Sequence, residues 1–146
     1  MYHLNTTVMK NKIIILMALL AALTGCAVPK AANTVWVGAD PVKYLDQRGL
    51  QISSIYLMDD GKAMVMQSVV TDSALVVAPY KVADGTYKLS GNLKRNADIE
   101  VNTVTINRDS LKLKGLVNLK KNSMILVYPD NTTKPFLRNT NITFEK

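Results

Sequence analysis

From Thr34 onward the apolar residues recur mostly at every second position, not every third or fourth, and this spacing commits the chain to β-structure. Ile52, Ser54, Tyr56 and Met58 alternate with Ser53, Ile55 and Leu57. Leu111 and Leu113 alternate with Lys112 and Lys114, the pattern of a strand with one wet face. Turn chemistry separates the runs. Asp59-Asp60-Gly61 and Asp84-Gly85 tolerate the positive φ angles of tight turns. Asn107 to Asp109, Lys120-Lys121-Asn122 and Pro129-Asp130-Asn131 are further turns, and the polar segment 90–97, with Gly91, Lys94 and Arg95, is a loop. Pro79 marks an edge or a bend in the run 73–80. Ile99 and Val101 share one phase while Val104 and Ile106 share the other, which predicts a bulge or break at Asn102-Thr103. A last strand is expected over 140–144. One short helix is expected over 41–48, because Asp40-Pro41 supplies an N-cap and a first-turn proline and Gly49 a stop.

About eight to ten short strands at intervals of roughly 8–12 residues are the spacing of an antiparallel barrel or sandwich. The all-β class is therefore expected, as an up-and-down antiparallel barrel of about eight strands, with a β-sandwich as the alternative. Closing the sheet removes exposed edges.

The N-terminus reads as an address. Met9-Lys10-Asn11-Lys12 is a basic start, and Ile13 to Leu23 is an uninterrupted apolar run of eleven residues. Together they predict a secretory signal helix, too short to span a hydrocarbon core of about 20 helical residues. Met9 is the better start, and residues 1–8 add nothing to the signal. Leu23-Thr24-Gly25-Cys26 follows at once and resembles the bacterial lipobox. That resemblance implies diacylglycerol on Cys26, cleavage between Gly25 and Cys26, and membrane anchoring by lipid. Ala27, rather than an aspartate, follows the cysteine; by resemblance to the enterobacterial sorting rule this implies the outer membrane, facing the periplasm. The expected organisation is signal peptide 1–25, lipidated tether 26–33 and barrel domain 34–146.

The residue inventory narrows the chemistry. His3 is the only histidine and Cys26 the only cysteine. Cleavage before Cys26 removes the first, and lipid blocks the second. Ser-His-Asp and Cys-His catalysis, disulfides and the usual zinc sites are thereby excluded from the mature chain. A non-enzymatic protein with no cofactor and no metal is expected. The net charge of +7 falls to +5 from Cys26 onward, where sixteen cations face eleven acids. A modest basic excess keeps a protein soluble and attracts anionic surfaces. No run of exposed aromatics accompanies it, so nucleic acid is not an expected partner.

Several pieces resemble the small lipocalin-like barrels of bacterial lipoproteins: Trp36-Val37-Gly38, Asp60-Gly61-Lys62, the run Tyr80 to Tyr87 (YKVADGTY) and the run Asn107 to Leu113 (NRDSLKL). The resemblance implies a cavity that holds a small apolar ligand. Trp36, Met58, Met64, Met66 and Val76 are the expected cavity residues. Met64 and Met66 share a face, and thioethers bind Cu(I), but Met equally fills cores and adaptable cavities, and cavity lining is the reading taken. Trp36 lines the mouth or plugs one end. Lys112, Lys114, Lys120 and Lys121 sit around one strand and its turn, with Lys94 and Arg95 in an earlier loop; they are the expected contact with anionic headgroups, the alternative being a solvated face with a charged turn. The expected function is binding of a small hydrophobic ligand or an envelope protein. The alternatives are a periplasmic inhibitor or immunity lipoprotein, or an accessory subunit of an envelope complex.

Overall fold

A computed structural model describes residues 31–142. The expected signal helix, the Gly25–Cys26 cleavage site and the start of the tether lie outside the described residues. Eight strands run in chain order: β1 (Thr34–Tyr44), β2 (Gln47–Leu57), β3 (Lys62–Thr71), β4 (Val76–Ser90), β5 (Ala97–Thr105), β6 (Ser110–Asn118), β7 (Ser123–Val127) and β8 (Thr133–Asn139). Each pairs antiparallel with the next, and β8 returns to β1, so the sheet closes as an up-and-down barrel. An eight-stranded barrel is just wide enough for its interior to be filled by side chains or to hold one small ligand.

The expected helix over 41–48 is instead the first hairpin. Pro41 lies in β1 opposite Leu50, and Leu45-Asp46 forms the connection. Both turn residues have positive φ, 48° and 61°, the geometry that matches a two-residue loop to the twist of its strands. Pro41 is tolerated because β1 pairs with β8 only from Val35 to Val37, so beyond Val37 it is an edge strand on that side. Pro135 occupies the corresponding free edge of β8.

Three other expectations are corrected. Asp84-Gly85 is not a turn but the interior of β4, which is fifteen residues long. A Cβ on Gly85 would lie 1.9 Å from the carbonyl oxygen of Asn102, so glycine there allows β4 and β5 to approach. At Asn102-Thr103 the ladder between β5 and β6 is regular, because buried Thr103 takes the inward position that Ile99 and Val101 lead up to, leaving Val104 outside. The last described strand is Thr133–Asn139; residues 140–142 are not strand, and 143–144 lie outside the described residues. Pro79 does mark an irregularity: the β3–β4 register shifts between Val65 and Met66 and again between Gln67 and Val69.

The barrel has two unlike ends. One carries the entry to β1 at Thr34 and the turns at 58–61, 91–96 and 119–122. This end is filled by Trp36, Leu57, Ala97, Ile99, Val117, Leu119, Met124, Leu126 and Phe136, all buried. Trp36 is fully buried and its Nε1 donates to Thr34 Oγ1 at 2.8 Å. The Thr34 hydroxyl in turn donates to the Ala31 carbonyl. Ala31, within the segment read as tether, is packed in this core. The opposite end carries the turns at 45–46, 72–75, 106–109 and 128–132, and there the interior is not filled.

Candidate functional site

The unfilled end opens into a cavity of about 410 Å³. Ile55, Val65, Ala83, Leu111 and Leu113 form its apolar walls and floor, with Tyr80, Val82 and Ile106 toward the mouth. Ser53, Gln67, Thr105, Asn107 and Tyr128 supply its polar atoms. A mostly apolar cavity of this size with a few polar groups is the ordinary form of a small-molecule site.

Strand geometry explains the lining. Residues paired across an antiparallel ladder share a face. Ile55 pairs with Val65, and Ser53 with Gln67, so these four point inward together. The two register shifts in β4 insert extra residues opposite β3, and such bulges re-aim side chains. Tyr80 and Val82, which flank Lys81 at the shift, both reach the cavity.

Met64 and Met66, expected in the lining, stand on the other face of β3, paired with Tyr56 and Ser54. The pleat that turns Val65 and Gln67 inward turns both methionines outward. Met58 precedes the hairpin turn at the filled end, where its carbonyl accepts a hydrogen bond from the Tyr87 hydroxyl at 2.7 Å. Burial pushes that Tyr87 hydroxyl pKa up, with the nearby charges of Asp59 and Asp60 adding to it. Val76 begins β4 and is exposed, outside the cavity lining. Trp36 plugs the filled end. Among the described residues no group of three His, Cys, Asp or Glu stands together as a metal site.

One ion pair stands beside the cavity. Lys134 Nζ lies 2.7 Å from Asp40 Oδ2, joining β8 to β1 where their backbone ladder has ended. The same ammonium sits 4.7 Å from the centroid of the Tyr128 ring. The hydrogen bond to Asp40 holds the Lys134 pKa above the usual lysine range. Burial raises the Tyr128 hydroxyl, against the lowering effect of Lys134. Thr103 Oγ1, buried on the inward face opposite Leu111, has no hydrogen-bond partner among the described residues.

The expected cationic residues divide into two sets. Lys112 and Lys114 lie on the outer wall of β6, and Lys112 pairs with Glu100 at 3.2 Å. Glu100 is held below the usual carboxylate range, by hydrogen bonds from Asn102 and then from Lys112. Lys120 and Lys121 are instead brought together with Lys94 and Arg95 at the filled end.

No family model, curated protein or solved structure matches the chain.

Proposed function

We propose that the protein is a non-enzymatic, lipid-anchored envelope protein whose barrel holds a small apolar molecule in the cavity at its unfilled end. The observation that carries this reading is the contrast between the two ends. The same closed sheet is packed solid around Trp36 and left with about 410 Å³ empty beneath Tyr80, Val82 and Ile106. Packed interiors leave few voids larger than a water, so a volume of this size is a property to be explained. Its walls favour an apolar body, and Gln67, Thr105 and Tyr128 offer hydrogen bonds to one polar end of a ligand.

Anchoring is supported by the Leu23-Thr24-Gly25-Cys26 motif. The chain enters β1 at the filled end, so a membrane reached through Cys26 leaves the cavity mouth facing away from it. Outer-membrane placement, facing the periplasm, follows the residue at position 27.

A second reading, a protein partner such as an envelope complex or an inhibited hydrolase, is favoured by the rim. Leu45, Leu75, Val76 and Ile106 are exposed on or beside the turns around the mouth, Leu45 and Ile106 by about 70%. Exposed apolar residues grouped in this way mark contact surfaces.

Purifying the full chain from envelopes, extracting it with organic solvent and identifying the released molecules by mass spectrometry tests the proposal. A stoichiometric apolar molecule is expected. Extracts with no such molecule, combined with a co-purifying protein lost on Leu45→Ser/Ile106→Ser substitution, would establish the second reading in its place.

A further inference from the structure

At the filled end, two hairpin turns meet and form a basic cup. The turn 91–96 joins β4 to β5, and the turn 119–122 joins β6 to β7. They are tied to each other twice. The Leu119 N–H donates to the Leu93 carbonyl at 3.1 Å, and Asn118 Nδ2 donates to Asn96 Oδ1 at 3.1 Å. Asn118 Oδ1 accepts the Lys121 N–H at 2.9 Å, which fixes the second turn. Leu93 and Leu119 are buried in the barrel core. Lys94, Arg95, Lys120 and Lys121 are exposed and surround an open cup of about 440 Å³, with Asn96 and Asn118 beside them.

What sets the cup apart is that it gathers cations without a carboxylate partner around one concavity; Arg48, Lys88, Arg108, Lys114 and Arg138 also stand outside the ion pairs of the described residues. Lys43, Lys62, Lys81, Lys112 and Lys134 each have a carboxylate partner. Among the described residues none of the four cup cations has one. Four like charges around one concavity repel each other, and a bound anion relieves that repulsion. A guanidinium with three ammonium groups suits phosphate, which Arg binds through two parallel hydrogen bonds and Lys as a point charge.

We infer that the cup binds the phosphate of an anionic phospholipid headgroup. It lies at the end where the chain enters β1, so it faces the surface to which a lipid on Cys26 leads. That placement rests on the anchoring reading above; the charge and construction of the cup do not. Bound there, the barrel stands on the membrane by its packed end with its mouth directed away. The lipid on Cys26 would then supply the membrane affinity and the cup would direct the packed end toward the surface.

The full chain in phosphatidylcholine nanodiscs, with its Cys26 modification scored by intact mass, is titrated with dihexanoyl-phosphatidylglycerol and followed by amide NMR. Saturable shifts in 91–96 and 119–122 are expected. Lys120→Gln/Lys121→Gln should weaken binding about 5-fold per charge removed, while Lys112→Gln/Lys114→Gln, with the same loss of charge, leaves it unchanged. Absent shifts, or equal weakening by the two double variants, would overturn the inference. Equally tight binding of inorganic phosphate would overturn the headgroup assignment in favour of a free-anion site. Unmodified Cys26 with the expected shifts intact would defeat the anchoring reading and leave the cup standing.

Discussion

The ring of Phe136 on β8 lies against Gly38 on β1: a Cβ built on Gly38 would stand 2.9 Å from Phe136 Cε1 and 3.0 Å from the Pro135 carbonyl oxygen. This contact continues the closure of the barrel beyond the three residue pairs of the β1–β8 ladder. The Lys134–Asp40 pair continues it further toward the cavity. Side chains thus continue the seam beyond the point where the backbone ladder ends, along the free edges that admit Pro41 and Pro135.

Gly38→Ala should therefore destabilise the barrel by about 1–3 kcal/mol, the usual cost of forcing a methyl into a packed core. Phe136→Ala should cost about 3–5 kcal/mol through the void it leaves. Urea denaturation of each variant checks both values. The combined variant should be less destabilised than the sum, because the alanine methyl meets no ring.

The seam also sets an alkaline limit. Lys134 and Tyr128 both have folded pKa values raised above their unfolded ones. A raised folded value gives stability that is fully present below the unfolded pKa and is lost as pH rises through the folded one. The loss should begin near pH 10, close to the unperturbed values of both groups. Lys134 and Asp40 are each about a third exposed, so the pair contributes under about 1 kcal/mol after solvent screening. Melting temperatures from pH 7 to 11.5 should fall above pH 10. Tyr128→Phe should reduce that fall without altering the melt at pH 7 by more than the loss of one hydroxyl.

Thr103→Val should stabilise the protein. The Thr103 hydroxyl is buried without a partner, and valine has the same shape without the desolvated oxygen. A gain of about 1 kcal/mol is expected from thermal or urea melts. A loss of similar size would contradict the reading of the hydroxyl as buried without a partner.

The first hairpin gives a prediction of opposite sign to the one its sequence suggests. Leu45→Asn/Asp46→Gly replaces two strained positive-φ residues with the pair favoured in such turns. It should raise stability by about 1 kcal/mol or more. In a helix over 41–48 the same change would lower it, since asparagine and glycine are poor helix formers.

That reversal shows where the sequence was legible and where it was not. Alternation and turn chemistry found the class, the closed antiparallel architecture and the turns at 59–61, 107–109, 120–122 and 129–131. Asp40-Pro41 misled because an N-cap signal is local, whereas the free edge that admits Pro41 exists only once β1 and β8 have met and parted. Gly85 misled for a related reason: its role is a close approach to Asn102 on another strand. A cavity was implied only by the lipocalin-like resemblance, with the interior left open or filled, and none of the residues expected to line it, Trp36, Met58, Met64, Met66 and Val76, does so. β3 is apolar on both faces, with Val65 inside and Met64 and Met66 outside, so a period of two could not say which face was the interior. The meeting of Lys94 and Arg95 with Lys120 and Lys121 follows from strand order, which places alternate hairpin turns at the same end.

The claim that the unfilled end is a binding site is tested most directly by blocking it. Ala83 is buried on the cavity wall, and Ala83→Leu fills part of the space with a side chain compatible with a barrel interior. The full chain is titrated with N-phenyl-1-naphthylamine, whose fluorescence rises in apolar surroundings, and Ala83→Leu and Met64→Leu are compared with it. One saturable site is predicted for the wild-type and Met64→Leu proteins, with affinity at least 10-fold weaker in Ala83→Leu and folding intact by circular dichroism. No saturable binding, or binding that a folded Ala83→Leu protein retains at full strength, would contradict the account.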